Sequence, residues 1–320
     1  MQIKKAVITA AARGGRLYPV GDTVQKAMLP LSDVDGIHKP VIQIIAEEAF
    51  ASGIEEICII CAPNDEVRYR AGFETLRANL LAAFGNQDWA KKQADQISFL
   101  LKHLSFKVQE KTLGYGHAVY CAKDFVGNEP FILLLGDHLY LADNHKLRCA
   151  KQLLDLATTE ACSVSAVNAT PEHLIHQYGT IYGRYISQQT GVYEIERIIE
   201  KPSLSQAELS LLMPGQRAGH YLCFFGMHVL QPAIFQILEN DIDAYPKGKD
   251  IQLTPALEKL AEERKYLALE VKGRRFNLGT DLGWLEAQIA FGLEGVNSQA
   301  LLSSLVTQLA EAKLRGDSTG

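Results

Sequence analysis

The first residues able to do chemistry lie close together. An apolar run, Lys5-Ala6-Val7-Ile8-Thr9-Ala10, leads into Ala11-Ala12-Arg13-Gly14-Gly15-Arg16, and Lys26 follows in Lys26-Ala27-Met28-Leu29-Pro30. Small residues at Ala11, Ala12, Gly14 and Gly15 let main-chain N–H groups approach an anion. Arg16 can grip phosphate oxygens with two parallel hydrogen bonds, and Lys26 adds a second cation. No Gly-Lys-Ser/Thr follows, so this is not a P-loop, and the G-x-G-x-x-G of dinucleotide-binding folds is absent. Read alone, it is equally a tight strand-to-helix turn with a surface arginine. Further along, Asp137 follows the apolar run Phe131-Ile132-Leu133-Leu134-Leu135, and Glu200-Lys201 ends another. These too have plain readings: a strand-end cap for Asp137, a surface charge pair for Glu200 and Lys201.

The elements that must position these residues alternate along the chain. Strands are expected at 5–10, 56–61, within 97–108, and at 131–135. Helices are expected at 40–52, 65–96 and 116–125, the first ended by Gly53. The continuous apolar run 131–135 reads as a central strand buried on both faces. Beyond it the pattern turns richer in strands: 161–167, a hairpin of 178–185 and 192–199 around Gly191, 221–229, and a last strand at 266–271. Helices are expected at 250–262, with Pro255 in the first turn, and from Gly283 to Gly292. This alternation implies α/β architecture with a largely parallel sheet. Leu302, Leu305 and Leu309 recur at helical spacing near the end. That face can pair subunits or pack on its own domain.

A chain of 320 residues suits one large α/β domain or two smaller ones. Its net charge of -5 favours neither nucleic acid nor an anionic membrane as partner. The chain opens on a strand, which leaves no room for a signal peptide, and no apolar run is long enough to span a bilayer. A cytoplasmic protein is expected. Cys58 and Cys61 form a C-x-x-C inside an apolar strand, with no second pair to complete a zinc site, and read as buried thiols.

Read together, several segments resemble the sugar-1-phosphate nucleotidylyltransferases. Arg16, Pro19, Lys26-Ala27-Met28-Leu29-Pro30-Leu31 and Lys39-Pro40-Val41-Ile42-Gln43 match the family's opening. The stretches 47–57, 113–119 and 122–131 are similar to its bacterial UTP–glucose-1-phosphate uridylyltransferase branch. Leu134-Leu135-Gly136-Asp137, Glu200-Lys201-Pro202 and Ile251-Gln252-Leu253-Thr254 follow in the family's order. The resemblance implies a Rossmann-like three-layer α/β/α sandwich with a mostly parallel central sheet and a small added β-hairpin region. It implies a nucleotidyltransferase domain at 1–296, with a nucleotide half at about 1–140 and a sugar-phosphate half at about 141–296. A helical, frayed tail is expected at 297–320. The implied reaction joins UTP and a sugar 1-phosphate, with glucose 1-phosphate expected, and releases pyrophosphate. Mg²⁺ is the expected cofactor and a homo-oligomer the expected assembly.

The same resemblance assigns roles. Ala11 and Ala12 would contact base and ribose, with Gly14 and Gly15 leaving room in the nucleotide loop. Arg16 would hold the outer phosphates, and Lys26 the α-phosphate and the attacking phosphate. Gln109 and Gly114 would read the base edge. Asp137 and the position held by Asn277 would bind the metal. Gly179 and Glu200 would hold sugar hydroxyls, and Lys201 the sugar phosphate.

Several positions depart from the family pattern: Ala12 for a glycine, Gly15 for a threonine, Asp22 for a lysine, Asn277 for a carboxylate, His138 for an aspartate, and Met227-His228 for Arg-Tyr. The segment 34–38 reads as a short insertion. Such changes are expected of an altered substrate choice, with another base or sugar, or of a catalytically weakened paralogue with a regulatory role.

Overall fold

The computed structural model describes residues 2–12, 24–144, 146–186, 190–244 and 249–317, with side chains described to residue 313. Gly14, Gly15, Arg16 and Asp22 therefore lie outside the described residues. The strands are β1 (Lys5–Thr9), β2 (Pro30–Ser32), β3 (His38–Pro40), β4 (Glu56–Cys61), β5 (Leu104–Val108), β6 (Phe131–Leu135) and β7 (His138–Ala142). They continue as β8 (Ser163–Pro171), β9 (Gly179–Tyr185), β10 (Val192–Glu200), β11 (His220–Leu230), β12 (Tyr266–Glu270) and β13 (Gly273–Asn277). The first helices are α1 (Val41–Ala51), α2 (Asp65–Phe84), α3 (Asp88–His103), α4 (Tyr115–Tyr120), α5 (Lys123–Val126) and α6 (Cys149–Glu160). The others are α7 (Leu204–Ser210), α8 (Ala233–Asp243), α9 (Leu253–Glu263), α10 (Gly283–Glu294) and α11 (Ser298–Asp317).

One sheet of the described residues runs in the order β5-β4-β1-β6-β11-β8-β12-β10-β9. Alternate side chains feed two cores. Ala6, Ile8, Ile132 and Leu134 face the layer of α1, α3, α6 and α10. Val7, Phe131 and Leu133 face the layer of α4, α5, α8 and α9. A strand covered on both faces must be apolar throughout, and β6 occupies the expected residues 131–135. The same period of two sends Cys58 to one layer and Cys61 to the other, so one metal cannot bridge them. Burial pushes the two thiols up, Cys58 to about 11 and Cys61 to about 12.

The parallel part of the sheet is β5-β4-β1-β6. Beyond β6 the sheet is mixed. β11 runs antiparallel to β6 and β8, β12 is parallel to β8, and β10 is antiparallel to β12 and β9. The expected hairpin at 178–199 is thus the far edge of one continuous sheet, with Gly191 left-handed in its turn (φ +75°).

Some boundaries move. The helical stretch 65–96 is two helices, and α3 continues to His103 because Ile97 and Leu100 carry its buried face onward. The stretch 116–125 also divides, into α4 and α5. β12 is not the last strand: β13 follows and pairs with β7, setting Asn277 opposite His138. Arginines and an asparagine in β13 hide any clean apolar alternation. α6 and α8 occupy stretches where no element was expected. α11 packs on α10 while Leu302, Val306 and Leu309 stay exposed. Among the described residues no helix is long and apolar enough to cross a membrane.

The segment 34–38 is the turn between β2 and β3, with Gly36 left-handed (φ +81°). Lys39 clamps it. Its Nζ lies 2.6 Å from Asp33, 2.8 Å from Asp35 and 2.9 Å from Glu47 of α1. Burial opposes this charge, but Asp33 and Glu47 outweigh it and hold the ammonium above its usual range. Lys39→Met should lose about 3 kcal/mol of stability, since three carboxylates would remain together without their cation; denaturant midpoints measure it.

His228 of β11 is buried deeply enough to depress its pKa to about 3. Because its folded pKa lies below the unfolded one, its contribution is present above about pH 6.5 and is lost as pH falls toward the folded value. At pH 5 this one group should cost about 2 kcal/mol relative to neutral pH. His228→Phe should flatten that part of the stability–pH curve; an unchanged slope would contradict the assignment.

Candidate active site

The carboxyl ends of β1 and β6 open into a cleft of about 270 Å³, where ligands of open α/β sheets bind. Ala11, Ala12, Lys26, Gln109, Gly114 and Asp137 all line it. A second cleft of about 180 Å³ is lined by Gly179, Glu200, Lys201, His228, Arg275 and Asn277, among others. Tyr115 and Leu135 line both, so the two clefts adjoin. The structure thus gathers every described candidate residue into one pair of cavities. Arg16, Gly14 and Gly15 are the candidates outside the described residues.

Lys26 lies in a single 3-10 turn, Lys26–Met28, and is buried. Its Nζ is 2.5 Å from Asp137 Oδ2. His138 Nδ1–H donates to Asp137 Oδ1 at 2.7 Å. Burial alone would raise the Asp137 carboxyl. His138 and the Lys26 ammonium outweigh it and hold the group well below the usual carboxylate range. Burial drives His138 the other way from its partner's pull, below its ordinary value.

Asn277 joins this cluster through β13. Leu278 N–H donates to the Asp137 carbonyl at 2.8 Å, which fixes the loop after β13 beside Asp137. Asn277 Oδ1 accepts from Gly279 N–H at 2.8 Å. A Cβ on Gly279 would sit 3.0 Å from Asn277 Oδ1 and 3.1 Å from both Asp137 Oδ2 and Lys26 Nζ. Three polar groups therefore converge where only glycine leaves room. Gly279 was not singled out from sequence; its place in Asn277-Leu278-Gly279 was the available signal.

At the far wall, Gly114 is left-handed (φ +102°), and a Cβ there would meet the Ile251 backbone at 2.6 Å. Leu113 and Gly116 bond to Ile251 through main-chain contacts of 2.7 and 2.8 Å. These tie the loop before α4 to the segment before α9. Gln109 is buried. Its Nε2 donates to the Gly114 carbonyl at 3.1 Å and to His117 Nδ1 at 3.0 Å. Burial lowers the His117 pKa, which keeps Nδ1 available as an acceptor. Both amide hydrogens are thus used, and Gln109 keeps its carbonyl oxygen as an acceptor for a ligand.

In the second cleft Glu200 Oε2 accepts from Thr254 Oγ1 at 2.6 Å. Lys201 Nζ lies 3.6 Å from Glu200 Oε1 and is well exposed, so this pair adds little stability. Lys201 nevertheless has a left-handed backbone (φ +47°), a strain of order 1–3 kcal/mol for a residue with a side chain. Arg275 is a further cation there, stacked 3.8 Å from the Tyr178 ring centroid. Neither Arg275 nor Tyr115 was expected from sequence; both gain their places from strand pairing and helix packing.

The chain matches the Nucleotidyl transferase family over residues 5–288. A UTP–glucose-1-phosphate uridylyltransferase of Staphylococcus epidermidis is 33% identical over 313 residues, covering 96% of this chain and 99% of that one. A UDP-glucose pyrophosphorylase solved with UDP-glucose superposes with a TM-score of 0.72 at 29% identity, covering 91% of this chain and 98% of that one. A UTP-bound UGPase of Acinetobacter baumannii gives a TM-score of 0.74 at 28% identity, covering 96% and 100%. Likeness on this scale, over a fold that assembles the matching motifs at one pair of clefts, makes the chain a member of the nucleotidyl transferase family of enzymes.

Proposed function

We propose that the chain is a UTP–glucose-1-phosphate uridylyltransferase. The observation that carries this reading is the pair of buried Lys26 and half-buried Asp137 beside two adjoining clefts, one lined by the candidate nucleotide residues and one by the candidate sugar-phosphate residues. The names and ligands of the relatives described above support the same substrates. In this reading the half at about 1–140 takes UTP, the half at about 141–296 takes the sugar phosphate, and 297–320 is an appended helix and tail.

Gln109 and Gly114 face the uracil, and Ala11 and Ala12 the ribose. Arg16 is assigned the outer phosphates, and Gly14 and Gly15 the nucleotide, on the resemblance alone. Lys26 stands at the α-phosphate, Gly179 and Glu200 at sugar hydroxyls, and Lys201 at the sugar phosphate. A phosphate oxygen of glucose 1-phosphate attacks the α-phosphorus in line. The new P–O bond forms as the bond to the β-phosphate oxygen breaks, and pyrophosphate leaves. The chain contributes position and charge neutralisation.

Enzymes of this kind use a divalent metal, and Mg²⁺ is the one proposed. No group of three metal-ligating side chains occurs among the described residues. The donor set, one ionised carboxylate and one amide oxygen, fits an ion carried mainly by substrate phosphates. Asp137 would hold it, with Asn277 offering a neutral oxygen. Bound there, the ion neutralises charge on the phosphate oxygens.

Purified protein with UTP, glucose 1-phosphate and Mg²⁺ should release pyrophosphate. Lys26→Ala should lower kcat/KM by roughly 10²- to 10³-fold without loss of fold. No release from wild-type protein with any pairing of UTP, dTTP, CTP or ATP and a sugar 1-phosphate would sink the proposal. Release with another base or sugar would replace the substrates named.

A second reading, a catalytically weakened regulatory paralogue, draws on one observation: Asn277 Oδ1 already accepts the Gly279 N–H. For an active enzyme, Asn277→Asp should lower the Mg²⁺ concentration for half-maximal rate by roughly 3- to 10-fold, with little change in kcat. A rise in kcat of a hundredfold would favour the weakened reading.

A further inference from the structure

One buried polar chain is used neither by the core's packing logic nor by the reaction above. Ser165 of β8 lies between His228 of β11 and Tyr266 of β12. Its Oγ is 2.5 Å from His228 Nδ1 and 2.5 Å from the Tyr266 hydroxyl. Ser165 is wholly buried, Tyr266 is 1% exposed and His228 is 4% exposed. With no access to Ser165 Oγ, the trio is not a hydrolytic nucleophile.

Proton accounting gives the chain a direction. Among the described residues, Ser165 Oγ is the one acceptor in reach of the buried Tyr266 proton. Reversing the chain would leave that proton without a partner, at a cost of about 1–3 kcal/mol. Tyr266 O–H therefore donates to Ser165, and Ser165 O–H donates to His228 Nδ1. A neutral imidazole that accepts at Nδ1 carries its proton on Nε2. Burial keeps the ring neutral, as its pKa of about 3 indicates. His228 lines the second cleft beside Gly179 and Glu200, and among the described residues its ring is hydrogen-bonded through Nδ1, not Nε2. Phe224 packs edge-on against it, with ring centroids 5.0 Å apart, and holds its orientation.

We propose that His228 is a sugar-specificity residue, whose Nε2–H, fixed by the Tyr266–Ser165 relay, donates to one hydroxyl of the hexose 1-phosphate. The inference rests on the function proposed above. It differs from that function in predicting a donor at a position where neither charge nor metal is involved. Tyr266 and Ser165 are positioning residues in this scheme, since they act only through the imidazole.

The test couples protein and substrate changes. Glucose 1-phosphate and its 2-, 3-, 4- and 6-deoxy analogues are compared on wild-type protein and His228→Phe, with UTP saturating. Wild type should lose roughly 5- to 100-fold in kcat/KM for the analogue lacking the bonded hydroxyl. His228→Phe should show that same loss with glucose 1-phosphate and no further loss with that analogue, while KM for UTP stays within about twofold. Tyr266→Phe should weaken the discrimination at the same carbon. Equal penalties in wild type and His228→Phe at all four carbons would overturn the proposal while leaving the uridylyltransferase reading intact. The imidazole ¹⁵N shifts of unliganded wild-type protein give a second readout that needs neither turnover nor a folded variant. The Nε2–H tautomer is expected at His228, and the Nδ1–H tautomer would overturn the relay.

Discussion

The structure turns on two opposite charges held 2.5 Å apart at the end of the central strand. A buried lysine beside a half-buried aspartate is tolerated only when their geometry is good and their remaining hydrogen bonds are met. Here β6 ends at Leu135, and the tight link Gly136-Asp137 carries the carboxylate into the cleft before the chain turns into β7. Gly136 N–H bonds back to the Thr9 carbonyl at 2.9 Å, so the first strand and the central strand jointly set the carboxylate's position. Lys26 comes from a short turn that α1 packs against, and Lys39 clamps the nearby hairpin to the same helix. Much of the N-terminal architecture serves to hold one cation and one anion together at the carboxyl end of the sheet.

The two halves of the sheet do different work. In the parallel half, successive strands point their carboxyl ends at the same cleft, and a covered sheet can be apolar throughout. Past β6 the antiparallel strands bring Glu200 at the end of β10 and His228 within β11 to one second cleft. The β7–β13 ladder is a separate two-stranded sheet that sets Asn277 opposite His138 and so beside Asp137. Antiparallel pairing thus builds a second cleft beside the first, lined by residues of β6, β9, β10 and β11.

Two of the positions where the sequence departs from the expected family pattern meet at Asp137. Asn277, where the resemblance implies a carboxylate, accepts a loop N–H with one lone pair of its oxygen, and His138, where it implies an aspartate, donates to Asp137. Neither residue brings negative charge to Asp137, whose neighbours there include Lys26, His138 and the Asn277 loop. His228 belongs to the same set of departures, but it acts by hydrogen bonding and not by charge.

Local patterns were enough to read β4 and β6 and the hairpin around Gly191, and the resemblance pointed to Lys26, Gln109, Asp137, Glu200 and Lys201, which the fold brings to the two adjoining clefts. Apolar period and ordered motifs are properties of contiguous residues, so they survive without a fold. What tertiary structure decided was long-range. Cys58 and Cys61 separate to opposite cores because a strand alternates, yet only the two helical layers show that both faces are buried. Asn277 meets Asp137 through a ladder between residues far apart in the chain, and neither strand has an alternation to announce it. The direction of the Tyr266–Ser165–His228 chain depends on three strands lying side by side and on the lack of any other described acceptor for one buried proton. The residue types were written in the sequence from the start. Their protonation and hydrogen-bond roles were set by burial and by neighbours that only folding supplies.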